Sequence, residues 1–549
     1  MLDVLVIGSG GAGLSAALAA KEAGASVLVV GKMYPTNSQT AMAQGGMNAA
    51  LGNVEEDHPS LHIQDTIKSA HGLCNEDMVR HLCADAPKTI EWLEKIGVPF
   101  SRLPQSIEVS QSDTNQRSSL LAPHSSLKSI AQRQLGGASA KRACYAQDYT
   151  GLKILHTLYD TCLKEGIDFL DEHFLLNLIV PEDTVKGATF LDIRSGEVKQ
   201  IDAKSVVIAT GGYGALYHGY TTNMYGATGD GIAAVMRAGG ALSDMEFVQF
   251  HPTGLKHSSI LMSESARGEG GYLVNTKGER FVDELKPRDE VSRAIFAQIQ
   301  AGGSVFLDLR HLGEEKLQTL LPQEVALCKL HEKIDPAHAL VPIKPVAHYT
   351  MGGIDVDEAL EVNGIKGCFA AGECSNAKVH GANRLGGNSL LEITAFGRFA
   401  GENAYKHSIY ASSKPANGEQ KEKDIAAIEA IYARPLTHNH YTMQRTLGRL
   451  LYEKVGIVRE NRTLHQALEM VIAMQVEQKE MGLADKNRTH NQTLVELLEF
   501  QNALLIAPAI ISAAIARDES RGAHFKKGFE AEDEAFKKHI VLQWKREER

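Results

Sequence analysis

The first thirty residues constrain this chain more than any other stretch. DVLVIGSGGAGLSAALAAKEAGASVLVV (residues 3–30) reads as a strand, a glycine turn, an alanine-rich helix and a second strand. Gly8, Gly10, Gly11, Ala12 and Gly13 lie in a G-x-G-x-x-G turn directly after the strand. Such glycines allow a tight turn and let the backbone approach a pyrophosphate, which rests on the helix N-terminus. The unit predicts an α/β protein with a Rossmann-like sheet. An acidic residue roughly 20 positions further on ordinarily ends the second strand of these units. Here Gly31 and Lys32 stand there. Either the ribose is held differently, or Lys32 meets the diphosphate.

Two more buried-strand runs end in glycine, KSVVIATGGYGAL (204–216) and GIKGCFAAGECS (364–375). Strands of this kind deliver ligand contacts at their carboxyl ends. Asp230 in TGDG and Glu373 in GECS place carboxylates at turns, where they accept hydrogen bonds from ribose or ribityl hydroxyls. With the N-terminal unit they favour FAD over NAD. At 549 residues the chain exceeds one core. The expected organisation is a Rossmann-like FAD-binding domain split over 1–243 and 347–407, an inserted α+β capping domain (244–346), a helical domain (408–522) and a C-terminal tail (523–549). SIYASSKPANGEQKEKD (408–424) reads as a polar linker. Leu464, Leu468, Val471, Ile472 and Gln475 follow helical spacing, and a second helix falls within 485–517.

A formal charge of −10 argues against nucleic acid as a partner. The seven cysteines are scattered without a CxxC pair, which fits reduced thiols and offers no local zinc or iron–sulfur spacing. No metal site is expected. The sequence opens strand-like at Leu2, with neither a basic leader nor a twin arginine, so no export signal is expected. The longest apolar run, ALLIAPAIISAAIA (503–516), is short of the ~20 residues a span needs. A buried helix is the expectation, in a protein that is cytoplasmic or held peripherally on the cytoplasmic face by partners.

MEFVQFHPTGL (245–255), ESARGEGGYLVN (264–275), PRDEVSRA (287–294), AHYTMGGI (347–354) and HGANRLGGNSLLE (380–392) occur in this order. Together they resemble the flavoprotein subunits of fumarate reductase and succinate dehydrogenase, with L-aspartate oxidase as close kin. The resemblance runs from the glycine turn to RDESRGAHF (517–525). It implies FAD and a C4 dicarboxylate substrate, fumarate or succinate. His251, Ser263, Glu264, His348 and Arg384 would bind the substrate. Arg288 would be the proton donor, reloaded through Glu264 and Arg267, with His251 also catalytic. Arginine suits carboxylate binding because its fork matches two oxygens. The same resemblance places Ser38, Gln39, Thr40, Gln44, Gly45, Gly46, Ser389 and Leu390 against the flavin. It also implies an iron–sulfur partner subunit, and a membrane-associated or quinone- or thiol-reacting subunit beyond it.

Four positions depart from the commoner pattern of that family. Gln39 replaces the histidine that bonds covalently to flavin, so the FAD is expected to be noncovalent, which favours fumarate reduction. Leu135 replaces an aromatic residue at the substrate. Ser263 replaces threonine and keeps the hydroxyl, and Ala266 replaces a cysteine, so activity is expected to resist thiol alkylation. Aspartate oxidase also holds FAD noncovalently, so Gln39 leaves that alternative open, while GANRLGGNSL and 142–160 weigh against it. A non-catalytic flavin-binding descendant would have lost part of the charged set, and all six charged or histidine residues remain.

Overall fold

The computed structural model describes residues 1–103 and 127–544. Strand β1 (Leu2–Ile7) leads through the glycine turn into α1 (Gly11–Glu22), and β2 (Val27–Val30) returns parallel to β1. Gly8 has φ +113°, and a Cβ there would lie 2.2 Å from the Ala209 carbonyl oxygen, so no other residue fits the turn. The chain next adds β3 (Asp168–Leu170) on β2, then β4 (His173–Ile179), β5 (Gly187–Asp192) and the long β6 (Val198–Ile208). β6 pairs parallel to β1 and antiparallel to β5, giving the order β3-β2-β1-β6-β5-β4. β1 and the carboxyl half of β6 are buried on both faces, as continuous Val/Ile runs require.

The inserted segment builds a second sheet. β7 (Val248–Leu255) runs into the short α2 (Glu264–Gly268) and then β8 (Tyr272–Val274). α3 (Arg288–Gln300), β9 (Val305–Asp308), α4 (Pro322–Leu327) and β10 (Val341–Thr350) follow. The four strands lie antiparallel in the order β7-β10-β9-β8. Leu255, Met262, Leu273, Val291, Ile295 and Leu307 belong to a hydrophobic cluster of its own. The chain then rejoins the first sheet through β11 (Cys368–Ala370), parallel to β6.

Helix α5 (Asn388–Tyr410) packs along α1. A Cβ at Gly397 or Gly401 would meet the carbonyls of Ala12 or Ala16 within 2.6 Å, so these glycines set the close approach. The stretch 408–424 is therefore only partly linker: α5 runs through Tyr410 and α6 (Glu419–Ala433) begins nine residues later. α6 docks on the sheet, where Asp424 accepts from Asn177 and Thr189. α7 (His440–Lys454) and α8 (Asn461–Glu477) follow. Leu464 and Val471 are buried as the spacing predicts, whereas Ile472 is 48% exposed.

The apolar run 503–516 belongs to a longer helix, α9 (Gln492–Ala516). Its polar residues do not end it because they find buried partners: Glu499 pairs with Lys32, and Asn502 bonds Asp230 and Arg237. Among the described residues it is the one helix long and apolar enough to cross a membrane, and 78% of its most apolar window is buried inside the protein. Beyond it the chain turns back, and residues 541–543 pair with 241–243.

Candidate active site

One cavity of about 240 Å³ opens between the two sheets. Its first end is the glycine turn. Gly8, Gly10, Gly11, Ala12, Lys32, Ser38, Gln39, Thr40, Gln44, Gly45, Gly46, Asp230, Glu373, Ser389 and Leu390 all line it. Gly13 lies beneath the turn, where a Cβ would sit 1.8 Å from the Gly8 oxygen. Thr40 Oγ1 accepts the Gly11 N–H at 3.0 Å, which ties the 35–51 loop to the helix N-terminus. Ser38 Oγ, Gln44 Oε1 and Thr210 Oγ1 line the cavity, are buried and lack protein partners. Orphaned polar atoms beside an open glycine turn are what a bound nucleotide would satisfy, so these residues fit FAD.

Three of these residues already have protein partners. Lys32 Nζ is consumed by Asp230 Oδ2 and Glu499 Oε1, each at 2.6 Å, and by the Gly226 carbonyl. Burial works against its charge, but the two carboxylates outweigh it and raise its pKa. Lys32 therefore fixes Asp230 and α9 rather than reaching for a diphosphate. Glu373 accepts from the Thr350 N–H at 3.0 Å, and burial pushes its carboxyl up to about 7. Gln39 Oε1 accepts the Met224 N–H at 2.8 Å, so the amide is held within the loop network.

The other end of the cavity is cationic. His251, Ser263, Glu264, Arg288, His348 and Arg384 line it, while Arg267 sits behind Glu264. Alternation along β7 turns Gln249 and His251 to one side. Spacing i, i+3 on α2 puts Glu264 and Arg267 on one face. Arg288 is the first residue of α3, and Arg384 precedes the glycines that open α5. Glu264 joins them: Oε2 accepts Arg288 Nε at 3.1 Å and Nη2 at 2.5 Å, and Oε1 lies 3.4 Å from Arg267 Nη2. Burial pushes the Glu264 carboxyl up, but Arg288 and Arg267 overcome it and hold the group below its ordinary value.

Gln249 Oε1 takes N–H groups from both Arg288 (3.0 Å) and Arg384 (3.3 Å), spacing two cations that would otherwise repel. Arg384 lies 4.2 Å over the Tyr349 ring, and its Nε has no protein partner. Burial and then Arg288 lower its pKa to about 10. Both histidines are held neutral, their pKa values driven well below 6.5 by burial and then by Arg288. The Thr253 N–H points at His251 Nδ1 (3.3 Å), and the Thr253 hydroxyl donates to the Met262 carbonyl. Neutral His251 thus carries its hydrogen on Nε2, as a donor. His348 Nδ1 contacts Thr222 Oγ1 at 2.8 Å, and the two imidazoles lie 4.9 Å apart.

Sequence reasoning missed Gln249 and Tyr349, although each sits within two residues of a chosen histidine inside a quoted motif. It also missed a buried group behind Ser263. Glu324 Oε2 accepts the Ser263 N–H at 3.1 Å, and Asp148 Oδ2 caps α4 by accepting from Gln323 (2.7 Å) and Glu324 (3.3 Å). No local motif announces these contacts. Leu135 lines the cavity, and Ala266 is fully buried behind it.

Comparison with known proteins agrees with this geometry. Residues 3–390 match the FAD binding domain family, and residues 444–549 match the fumarate reductase flavoprotein C-terminal family. The chain is 37% identical to the fumarate reductase flavoprotein subunit of a Serratia species, over 98% of this chain and 92% of that one. It is also 37% identical to the succinate dehydrogenase flavoprotein subunit of Coxiella burnetii, over 98% and 94%. The FrdA chain in a structure of Escherichia coli quinol fumarate reductase superposes with a TM-score of 0.89 at 35% identity, covering 98% of this chain and 94% of that one. With a nucleotide-binding end, a cationic end and full-length similarity on both branches, the chain belongs to the fumarate reductase/succinate dehydrogenase flavoprotein family.

Proposed function

We propose that this chain is a flavin-dependent oxidoreductase acting on a CH–CH bond, and that it interconverts fumarate and succinate. The observation that carries the reading is charge. Arg267, Arg288 and Arg384 with Glu264, beside two neutral histidines, sum to about +2, the complement of a C4 dianion. When bound, reduced FAD supplies the hydride. The chain's own groups do the rest. Arg384 and His348 hold one carboxylate, while Ser263 and the His251 Nε2–H hold the other. Donors fixed before the reaction stabilise charge that builds on a carboxylate as the double bond is reduced.

Arg288 gives its proton to the neighbouring carbon. Its side chain lines the cavity, and its Nη1 has a second N–H beyond the one shared with Gln249. The ionised Glu264 carboxylate, hydrogen-bonded to two Arg288 nitrogens and paired with Arg267, relays a proton from Arg267 to Arg288 after turnover, and Arg267 is reprotonated from solvent. A water-excluded pocket with adjacent guanidiniums lowers the cost of deprotonating an arginine. FAD is held without a covalent bond, since the Gln39 amide occupies the position of the anchoring histidine and already bonds Met224. This favours fumarate reduction as the working direction.

Iron–sulfur clusters belong to a partner subunit, a reading supported by the family resemblance and by seven scattered cysteines without a CxxC pair. The chain works in the cytoplasm, or at the membrane's cytoplasmic face through that partner. The test has two arms: under anaerobic conditions protein reduced with dithionite is mixed with fumarate, and separately oxidised protein is mixed with aspartate under air. Flavin reoxidation by fumarate supports the reading. Peroxide and iminoaspartate formed from aspartate without fumarate turnover would replace it by L-aspartate oxidase. Among the described residues that line the cationic end, the carboxylate is Glu264, and it is already paired with Arg288 and Arg267 rather than free to meet an α-ammonium group.

A further inference from the structure

Ser263 lines the cavity as the N-cap of α2, and its hydroxyl is held from behind by one residue. The Ser265 backbone N–H donates to Ser263 Oγ at 3.2 Å, and the Ser265 hydroxyl donates to the same oxygen at 2.7 Å. Ser265 is fully buried, does not line the cavity, and has no other hydrogen-bond partner for its hydroxyl among the described residues. The Ser263 backbone N–H is meanwhile fixed by Glu324.

These bonds settle the direction of the hydroxyl chain. A serine oxygen has two lone pairs and one hydrogen. With both lone pairs of Ser263 Oγ accepting from Ser265, its hydrogen has one place to go, the cavity. The reverse arrangement, Ser263 donating to Ser265, would leave the buried Ser265 hydroxyl hydrogen without an acceptor, which disfavours it. A carboxylate in the cavity then reinforces the favoured direction, because consecutive hydroxyl bonds polarise one another.

We propose that Ser265 is a positioning residue that locks Ser263 as a hydrogen-bond donor to one carboxylate of the substrate. The inference rests on the dicarboxylate reading above and adds a residue that never touches substrate. Serine at 263 needs such a lock, since an unbranched hydroxyl side chain rotates freely about χ1 where a β-branched one is stiff. Because the bond exists in both ground and transition states, losing it weakens binding and leaves the chemical step alone.

The experiment measures KM and kcat for fumarate with reduced viologen, and the Kd of malonate by calorimetry on the FAD-loaded protein. For Ser265→Ala, KM and malonate Kd should each rise roughly three- to tenfold, the worth of one hydrogen bond. The kcat should stay within about twofold, and flavin content should not change. Ser265→Cys fills the site with a slightly larger group that is a far weaker donor, should show the same split, and serves if the alanine variant folds poorly. Adding Ser263→Thr to Ser265→Ala should bring both constants back to within about twofold of Ser263→Thr alone, since the β-methyl restores the rotamer. Unchanged malonate binding in Ser265→Ala, or failure of threonine to rescue, overturns the proposal. A wild-type protein that neither reduces fumarate nor binds malonate overturns the dicarboxylate reading itself, and this inference with it.

Discussion

Replacing Glu324 by glutamine should stabilise the protein, and increasingly so as the pH rises. The Glu324 side chain is fully buried, and its Oε1 has no protein partner. Burial pushes its carboxyl from 4.5 up to about 8; Asp148 adds to the rise, while the Ser263 N–H and Arg133 oppose it. The folded chain therefore keeps a proton that the unfolded chain has already released. Stability falls as pH rises from the unfolded value through the folded one, and then levels off. At ~1.36 kcal/mol per unit the whole gap is worth about 5 kcal/mol. About 2.5 kcal/mol of it is lost between pH 5 and 7, and about 1.5 kcal/mol between pH 7 and 9. Glutamine has nearly the same shape, accepts the Ser263 N–H through its amide oxygen and does not titrate. For a chain of this length ~1 kcal/mol corresponds to about one degree of melting temperature. The melting-temperature gap between Glu324→Gln and wild type should widen by about 3–4 °C from pH 5 to pH 9 in scanning calorimetry. A gap that stays constant across that range would refute the argument, since it would mean that Glu324 is already ionised in the folded protein at pH 5.

Three other outcomes are expected. Acid precipitation should release all flavin into the supernatant; fluorescence left on the denatured pellet would contradict the reading of Gln39. Arg288→Gln should lower kcat for fumarate by about 10²- to 10⁴-fold, the usual worth of a positioned proton donor, at unchanged flavin content; a variant retaining more than a tenth of wild-type turnover would move the proton donor elsewhere. N-ethylmaleimide should leave turnover intact, because Ala266 offers no thiol, six cysteines are buried, and burial and Glu76 push the partly exposed Cys74 thiol up to about 11. Loss of activity that substrate prevents would point to a reactive thiol at the site.

The legible parts of this chain are those whose chemistry is local. The glycine turn is legible because strand, turn and helix are contiguous and because Gly8 needs a φ that side chains rarely adopt. The candidate site is legible as motifs, and the folded chain gathers His251, Ser263, Glu264, Arg288, His348 and Arg384 at one end of one cavity. What escapes is pairing across long separations. Lys32 meets Glu499 across 467 positions, and Gln323 meets Asp148 across 175. A lysine at a strand end beside a glycine turn reads as a ligand contact until the fold brings two carboxylates to it.

The same long-range pairing explains how α9 carries polar residues through the interior and why the site can concentrate so much positive charge. Polar residues in an apolar segment end a helix only when they must reach water, and Glu499 and Asn502 instead reach Lys32, Asp230 and Arg237. At the active end, three guanidiniums in a buried pocket would repel one another strongly without mediators. Glu264 sits between Arg288 and Arg267, and Gln249 sits between Arg288 and Arg384. Each mediator carries less negative charge than its neighbours carry positive, so a surplus survives folding and is left for the ligand to neutralise. Substrate affinity is therefore set by how incompletely the protein balances its own charges, and Gln249→Glu should reveal this directly. That change adds one negative charge between two arginines, so it should stabilise the empty protein while raising malonate Kd by at least tenfold. Tighter malonate binding in the variant would show that the surplus charge is not what holds the dicarboxylate.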